Sequence, residues 1–518
     1  MNIPSRLTAL SFAVAAAIAP AANSQPVTPA PPVTAAGGTA ITIYSTAQPG
    51  AIPAELYRGG GNRGGAVPGY GVVRTERELA LTRGRNTVRF TDVAAFIDPT
   101  TVQFESLTDA TGTSVIEQNF QFDLVSQQKL LERYIDRKVT VDQVRGTQVE
   151  TFNGTLLSMA GGMVLKRDDG TLQLLPHNSG VRLPELPGGL ITKPTLVWDL
   201  NAARAGAHRT RVSYQTTGLT WWADYNLTYS EGKTAHLCKL DVGAWVSILN
   251  QSGAGYPEAK LKLVAGDVQR AQAAGRIRPE VAALRSMATE RRDNAGFQEK
   301  EFFEYHLYTL GRSTTLPDNS TKQIELFPVA RAVPCEKTLV YYGLPAGSFG
   351  FFPNPMTDRS YGTATNKKVD VYLGFRNGPE QNLGIPLPSG RVRVSKRDEA
   401  DGTLEFIGED TIDHTPRNEQ VRIKLGSAFD VVGERKQLDF KIDTGRKTMT
   451  EEIEVRLRNQ KKQAVTVQVK ETLYRWINWE IAGRTHSFRK EDARTIVFPV
   501  QIAAGAEAVV RYTVQYSW

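Results

Sequence analysis

The chain has 518 residues, of which 41% are hydrophobic and 22% are charged, as in ordinary globular proteins. This length allows two to four domains, each with a core of its own. The formal net charge of +8 is spread along the sequence instead of forming a basic stripe, which argues against a nucleic-acid-binding protein.

Residues 1–24 have the pattern of a signal peptide. Arg6 provides a basic start, an apolar run covers residues 7–19, and Ala22-Asn23-Ser24 forms a small-x-small cleavage site. The apolar run is too short to cross a bilayer, and no later run of about 20 apolar residues predicts a transmembrane helix. We therefore expect an exported protein, periplasmic or associated with the cell surface, whose mature chain begins at Gln25.

A flexible tether is predicted for residues 25–70, which are rich in Pro, Gly and Ala. Within it, the segment 40–44 alternates well enough to be a strand. The glycine run at 59–65 lacks the Lys-Ser/Thr ending of a phosphate-binding loop, so we interpret it as a loop.

Short segments of alternating polar and apolar residues dominate the sequence after residue 70, as in the run from Thr101 to Glu105. This pattern predicts a mainly β protein made of several β-sandwich domains with few short helices. Asp169-Gly170 and Asp401-Gly402 each lie between two such segments. They predict hairpin turns, because Gly accepts the positive φ that such turns require.

Two segments predict helices. Ser126 is a suitable N-cap for a short helix near 126–136, where apolar residues recur at helical spacing. Pro279 starts a second helical pattern within 269–300, a charged region that we predict to be a mobile insertion. We accordingly divide the body of the chain into an N-terminal β domain or domains at 71–194, a central β-sandwich domain at 195–445 and a C-terminal domain at 446–518.

The clearest strand pattern ends the chain, where Val510, Tyr512, Val514 and Tyr516 alternate with polar residues. Together with two earlier alternating runs, it predicts an immunoglobulin-like β-sandwich at 446–518. The predicted core faces are Ile453, Val455 and Leu457 on one strand and Val465, Val467 and Val469 on another. A terminal strand that finishes on an aromatic residue also fits an outer-membrane β-barrel, which remains an alternative.

Cys238 and Cys335 are the two cysteines of the chain. Export would place them where disulfides persist, so they are either bridged to each other or two small buried hydrophobic residues. Sequence does not decide between these alternatives, because a bridge depends on the distance between the two Cα atoms.

The sequence contains few catalytic signals. Its six histidines are far apart without metal-ligand spacing, and no Gly-x-Ser-x-Gly turn presents a serine, so we expect neither a cofactor nor a metal. Glu409-Asp410 and Asp413-His414 form the one cluster suited to acid-base chemistry. It predicts either a carbohydrate-active hydrolase or, as we favour, a polar loop that caps strand ends.

Two aromatic groups are candidate binding surfaces. Trp221 and Trp222 are adjacent in a predicted strand, so their side chains must point to opposite faces, and we expect one ring to face outward. Trp476 and Trp479 form the second group. An exposed ring could stack on a sugar or on a partner chain, whereas a multi-layer sheet would cover both faces.

Several longer segments resemble one bacterial family. They are residues 214–225 (YQTTGLTWWADY), 249–254 (LNQSGA), 262–268 (KLVAGDV), 384–390 (GIPLPSG) and 428–433 (AFDVVG). Over roughly Thr195 to Trp518, the chain resembles exported proteins with the domain of unknown function 4139 (DUF4139), whose relatives include the mucoidy-inhibitor A proteins. The resemblance implies an all-β body, a signal peptide and a Gram-negative source, with no assigned reaction and no catalytic residues to transfer.

These patterns predict a cell-envelope protein that binds or scaffolds instead of catalysing a reaction. The expected partner is an envelope protein or an envelope glycan. The carbohydrate-active hydrolase and the outer-membrane protein are the alternatives.

Overall fold

The computed structural model describes residues 38–47, 50, 52, 67–145, 147–177, 179–266, 268, 296–344, 353–363, 366–381 and 383–518. The signal-peptide pattern, most of the predicted tether and the helical pattern that starts at Pro279 lie outside these residues. Strands dominate the described part of the chain, which confirms the mainly β prediction. No helix within this part is both long and apolar enough to span a membrane.

The first strands build the N-terminal sheets. In chain order they are β1 (Thr39–Ser45), β2 (Gly69–Leu81), β3 (Gly84–Thr91), β4 (Ile97–Ser106) and β5 (Thr113–Gln121). The alternating segment 40–44 therefore forms a strand, and Ile41 and Ile43 are buried in the main core.

A short helix and a five-stranded sheet follow. Helix α1 (Gln127–Arg133) begins at the predicted N-cap, where the Ser126 side chain accepts a hydrogen bond from the Lys129 N–H at 3.2 Å. The predicted turn at Asp169-Gly170 joins two strands of the sheet, and Gly170 has a φ of 85°. The strands are β6 (Lys138–Arg145), β7 (Gln148–Ser158), β8 (Met163–Lys166), β9 (Leu172–Leu175) and β10 (Gly180–Arg182).

Eight further strands complete the N-terminal sheets and begin the central sandwich. They are β11 (Thr195–Ala202), β12 (Gly206–Thr216), β13 (Leu219–Glu231), β14 (Leu237–Asn250), β15 (Tyr256–Ala265), β16 (Phe297–Phe302), β17 (Tyr305–Leu316) and β18 (Ser320–Tyr342). Strand β16 contains the last residues of the predicted insertion at 269–300.

Two sheets of the N-terminal part share one core. A seven-stranded sheet has the order β16-β17-β15-β1-β2-β12-β4, and a three-stranded sheet has the order β3-β11-β5. The ring of Trp198 in β11 lies 5.2 Å from the ring of Phe104 in β4 and 5.4 Å from that of Phe90 in β3. Trp198 thus packs the inner faces of the two sheets together.

The remaining strands belong to a large sheet whose strands form parts of both the central and the C-terminal sandwich. They are β19 (Lys368–Arg376), β20 (Gly390–Arg397), β21 (Leu404–Ile412), β22 (Gln420–Asp443), β23 (Thr448–Asn459), β24 (Val465–Thr472), β25 (Trp479–Arg484), β26 (Arg489–Lys490), β27 (Thr495–Ile502) and β28 (Glu507–Ser517), with a 3-10 helix at Pro379–Gln381. The predicted turn at Asp401-Gly402 joins the antiparallel strands β20 and β21.

The long strands β18 and β22 run through both sandwiches. Strand β18 pairs with β14 along its first part and with β24 near its end, while β22 pairs first with β19 and then with β23. The C-terminal core therefore includes Leu339 and Tyr341 of β18 and Val369 of β19, which precede residue 446. The predicted core faces are confirmed, since Ile453, Val455, Leu457, Val465, Val467 and Val469 are all buried.

A disulfide ties two neighbouring strands of the central sandwich. Cys238 of β14 and Cys335 of β18 are opposite each other in register, with their Cα atoms 4.8 Å apart, and their sulfurs are bonded. The structure thus selects the bridged alternative for the two cysteines.

Candidate functional site

A cleft of about 400 Å³ opens where the seven-stranded sheet meets the central sandwich. Five chain segments line this tryptophan cleft, namely residues 45–47, 221–222, 264–266, 388–389 and 413–414. Three of these segments lie in motifs that carry the family resemblance, and Asp413-His414 comes from the predicted acid-base cluster. Candidate residues that are distant in the sequence thus share one cavity.

Parallel strand pairs bring these segments together. Tyr44 of β1 pairs with Val264 of β15, so both strands end at the same edge of the seven-stranded sheet. Ala223 of β13 pairs with Gly390 of β20, which places Trp222 beside Ser389. Because β20 and β21 form a hairpin, the residues that follow β21 come back to the same place.

The two adjacent tryptophans point to opposite faces of β13, as predicted. Trp221 is 1% exposed and packs in the main core, with its ring 6.3 Å from that of Tyr308. Trp222 is 7% exposed and packs against Ile52 and Val67. The expectation of an outward-facing ring is wrong for this pair, because a further layer of the protein covers each face of the strand.

Asp224 is the polar residue that holds Trp222 in place. Its Oδ2 accepts hydrogen bonds from the Trp222 Nε1–H at 2.8 Å and from the Ser247 hydroxyl at 3.0 Å. Its Oδ1 lies 3.4 Å from a guanidinium nitrogen of Arg391 and of Arg393. This role of Asp224 was not predicted, although Asp224 is a single carboxylate two residues from Trp222, on the same face of an apolar strand.

The indole N–H of Trp221 is buried and has no hydrogen-bond partner among the described residues. Such an unsatisfied donor costs on the order of 1–3 kcal/mol. Trp221 is also one of the residues that line the cleft.

His414 and Ser389 meet at the mouth of the cleft. The Ser389 backbone N–H donates to His414 Nδ1 at 3.1 Å, and the Ser389 Oγ lies 3.5 Å from His414 Nε2. Since a backbone N–H can only donate, Nδ1 is the acceptor, and the neutral ring carries its proton on Nε2. In this arrangement Nε2 cannot take the proton of Ser389, so the pair is a hydrogen-bonding group and not an activated nucleophile.

The predicted acidic cluster does not converge on the cleft. Asp413 lines the cleft, but Glu409 accepts a hydrogen bond from Arg393 at 3.1 Å, and Asp410 accepts one from the Lys424 N–H at 2.6 Å. A glycosidase of the usual type needs two carboxyl groups on either side of the scissile bond. Asp413 is the one carboxylate among the described lining residues, and no described trio of His, Cys, Asp or Glu is grouped to hold a metal.

Trp476 and Trp479 belong to the C-terminal sandwich. Both are half-buried and pack against its core. The Trp479 Nε1–H donates to the Ala493 carbonyl at 2.9 Å, and the Lys490 ammonium lies 4.2 Å from the centre of the Trp479 ring. Neither tryptophan is among the described residues that line the cleft.

Comparisons with family models, with curated proteins and with solved structures find no match to this chain. The resemblance to proteins with the domain of unknown function 4139 therefore stays a prediction. The geometry of the tryptophan cleft is the basis for a functional proposal.

Proposed function

We propose that this chain is an exported cell-envelope protein that binds a hydroxyl-rich envelope glycan in the tryptophan cleft without cleaving it. The convergence of Asp413, His414 and Ser389 beside two tryptophans carries this proposal. A carboxylate accepts hydrogen bonds from sugar hydroxyls, the imidazole Nε2–H donates to them, and a serine hydroxyl does either. The signal-peptide pattern supports the envelope as the place where the ligand is met.

The size of the cleft favours a glycan segment over a protein surface. Its volume of about 400 Å³ lies within the range of small-molecule sites, which extends from about 300 to 1,000 Å³. A stable protein partner would instead cover about 800 Å² of surface on each side. A short part of a glycan chain can enter the cleft, whereas a folded protein would contact only its rim.

The segment 386–389, which carries Ser389 into the cleft lining, is held in place before any ligand arrives. The buried hydroxyls of Tyr308 and Tyr225 donate to the carbonyls of Pro386 and Pro388, at 2.8 and 2.7 Å. These bonds fix the segment that carries Ser389, so binding costs little ordering of the loop. Preorganisation of this kind is useful to a protein that binds a weakly attractive, well-hydrated ligand.

The test is a titration of the pure protein with soluble fragments of peptidoglycan and of lipopolysaccharide core, followed by calorimetry. Asp413→Asn removes one charge at an exposed position, so the fold should be unaffected. We expect this change to weaken glycan binding at least tenfold, which corresponds to about 1.4 kcal/mol. Asp168→Asn is the matched control, because Asp168 is an exposed carboxylate in the turn between β8 and β9, outside the cleft.

Two outcomes would overturn the proposal. If the fragments bind Asp413→Asn as tightly as the wild-type protein, the cleft is not the binding site. Mass spectrometry of the same mixtures detects cleavage, and release of a smaller glycan would replace the binding role with the hydrolase alternative.

A further inference from the structure

A second recess, which we call the lysine groove, lies at the opposite end of β13 from the two tryptophans. Its volume is about 270 Å³. Its charged lining residues are Lys337 of β18, Lys396 of β20 and Glu231 of β13, which give the groove a net positive charge. Its apolar walls are formed by Val371 and Leu373 of β19, Ile407 of β21 and Leu425 of β22.

The groove follows from the way in which the central sandwich closes. Lys337 pairs with Leu373 across β18 and β19, and Lys396 pairs with Tyr229 across β20 and β13. Strand β21 approaches β22 so closely that a Cβ on Gly408 would lie 2.6 Å from the Leu425 carbonyl oxygen. The side chains of Ile407 and Leu425 on these two strands give the recess an aliphatic wall, which suits an alkyl chain.

The two lysines differ in how their charges are compensated. Lys396 forms an ion pair with Glu231 at 2.8 Å. Lys337 forms no ion pair within the described part of the chain, and its ammonium lies 6.0 Å from the centre of the Tyr229 ring. Burial, followed by the nearby charges of Lys461 and Lys396, lowers the pKa of Lys337, while Glu231 acts in the opposite direction. An anion at this position would compensate a half-buried cation.

We propose that the lysine groove binds a single-chain amphiphile with an anionic head group. The alkyl chain lies along Leu373, Ile407 and Leu425, and the head group lies between Lys337 and Lys396. Burial of the chain provides the affinity, and the two ammonium groups select the charge of the head. This site is separate from the tryptophan cleft and does not depend on glycan binding.

The experiment uses the full mature chain and four probes below their micellar concentrations. Dodecanoate has both the chain and the anionic head, dodecan-1-ol lacks the charge, acetate lacks the chain, and dodecyltrimethylammonium reverses the charge. We expect dodecanoate to bind at least tenfold more tightly than each of the other three in calorimetric titrations. Equal affinity for dodecanoate and dodecan-1-ol, or no binding of dodecanoate, would overturn the proposal.

Lys337→Met distinguishes the contribution of the charge from that of the apolar wall, because Met lacks the charge but keeps most of the length of the side chain. We expect this variant to bind dodecanoate at least tenfold more weakly and to bind dodecan-1-ol within twofold of the wild-type protein. Lys138→Met removes the same charge from an exposed position in the small five-stranded sheet and should leave both affinities unchanged. Unchanged dodecanoate affinity in Lys337→Met would contradict the assignment.

A spectroscopic measurement on the wild-type protein tests the site without relying on the affinity of a variant, which is used only to assign the resonance. Lysines are methylated reductively with a ¹³C label, and the resonance that is missing in Lys337→Met is followed during titration. Dodecanoate should shift this resonance and raise the pH at which it titrates, since a bound anion favours the charged ammonium. A Lys337 resonance that does not respond would overturn the proposal.

Discussion

The carboxylate of Glu471 lies 2.9 Å from the guanidinium of Arg435 inside the C-terminal core, where the two side chains are 0% and 2% exposed. The Tyr512 hydroxyl donates to the same carboxylate oxygen at 2.6 Å, and burial raises the pKa of this phenol well above its usual range. A second buried pair joins Arg475 and Glu451 at 3.1 Å. Each buried charge thus has an opposite charge beside it, as burial in an apolar core requires.

Glu471→Gln should destabilise the C-terminal sandwich. The change leaves the Arg435 guanidinium buried without a counter-charge, and breaking such a pair costs about 3–5 kcal/mol. Urea unfolding followed by circular dichroism measures the loss. The double change Arg435→Met with Glu471→Leu removes both charges and should cost less than Glu471→Gln. If the double variant were the less stable of the two, uncompensated charge would not be the cause.

Gly433→Ala tests the packing around Tyr341 in the C-terminal core. A Cβ at this position would lie 2.2 Å from the Tyr341 ring, whose hydroxyl donates to the Asn366 carbonyl at 2.6 Å. The ring cannot move freely, so we expect a loss of about 1–3 kcal/mol in the free energy of unfolding. Gly188→Ala is the matched control, since no atom lies within 4 Å of its added Cβ. Equal stability of the two variants would contradict this account.

The hydrogen bonds of Glu454 predict how the free energy of unfolding depends on pH. Hydrogen bonds from Arg511 at 2.8 Å and from Arg456 at 3.1 Å lower the pKa of this carboxyl in the folded protein. Its stabilising contribution is therefore complete above the pKa of the unfolded chain, about 4.3, and is lost as the pH falls through the lowered folded value.

The difference in unfolding free energy between the wild-type protein and Glu454→Gln should accordingly be largest near neutral pH and should shrink below about pH 4.3. Urea titrations at a series of pH values measure this difference. Glu399→Gln, at an exposed position, provides the comparison. A difference between the wild-type protein and Glu454→Gln that stays constant down to low pH would show that the carboxyl charge does not stabilise the fold.

The bridge between Cys238 and Cys335 closes a loop with a sequence separation of 97 residues. Replacing both cysteines with Ala should lower the free energy of unfolding by about 2–4 kcal/mol, because the unfolded chain gains freedom. Reductant should destabilise the wild-type protein by a similar amount and leave the double variant unchanged. Identical unfolding of oxidised and reduced wild-type protein would refute this expectation.

Local patterns were sufficient to predict the type of element and its inner face. Alternation along β28 placed Val510, Tyr512 and Val514 on one side, and all three are buried. Ser126 and the two Asp-Gly turns were also predicted correctly, because caps and turns depend on a few neighbouring residues. Signals of this kind are complete within a short stretch of sequence.

The candidate site was only partly predictable. Trp221, Trp222, Asp413 and His414 were singled out as separate candidates, and the structure places all four around one cleft. Asp224 was not singled out, because its role depends on Arg391 and Arg393, which reach it through the pairing of β13 with β20. No local sequence pattern indicates which distant strand will pair with β13.

The sequence by itself determined where strands and turns form and that Trp221 and Trp222 occupy opposite faces of one strand, because side chains alternate along any strand. Only the tertiary structure decided that both faces are covered, that Cys238 meets Cys335 and that Glu471 lies beside Arg435. The physical reason is that these relationships depend on strand pairing and layer packing. Both arise from the burial of apolar surface contributed by residues that are far apart in the chain.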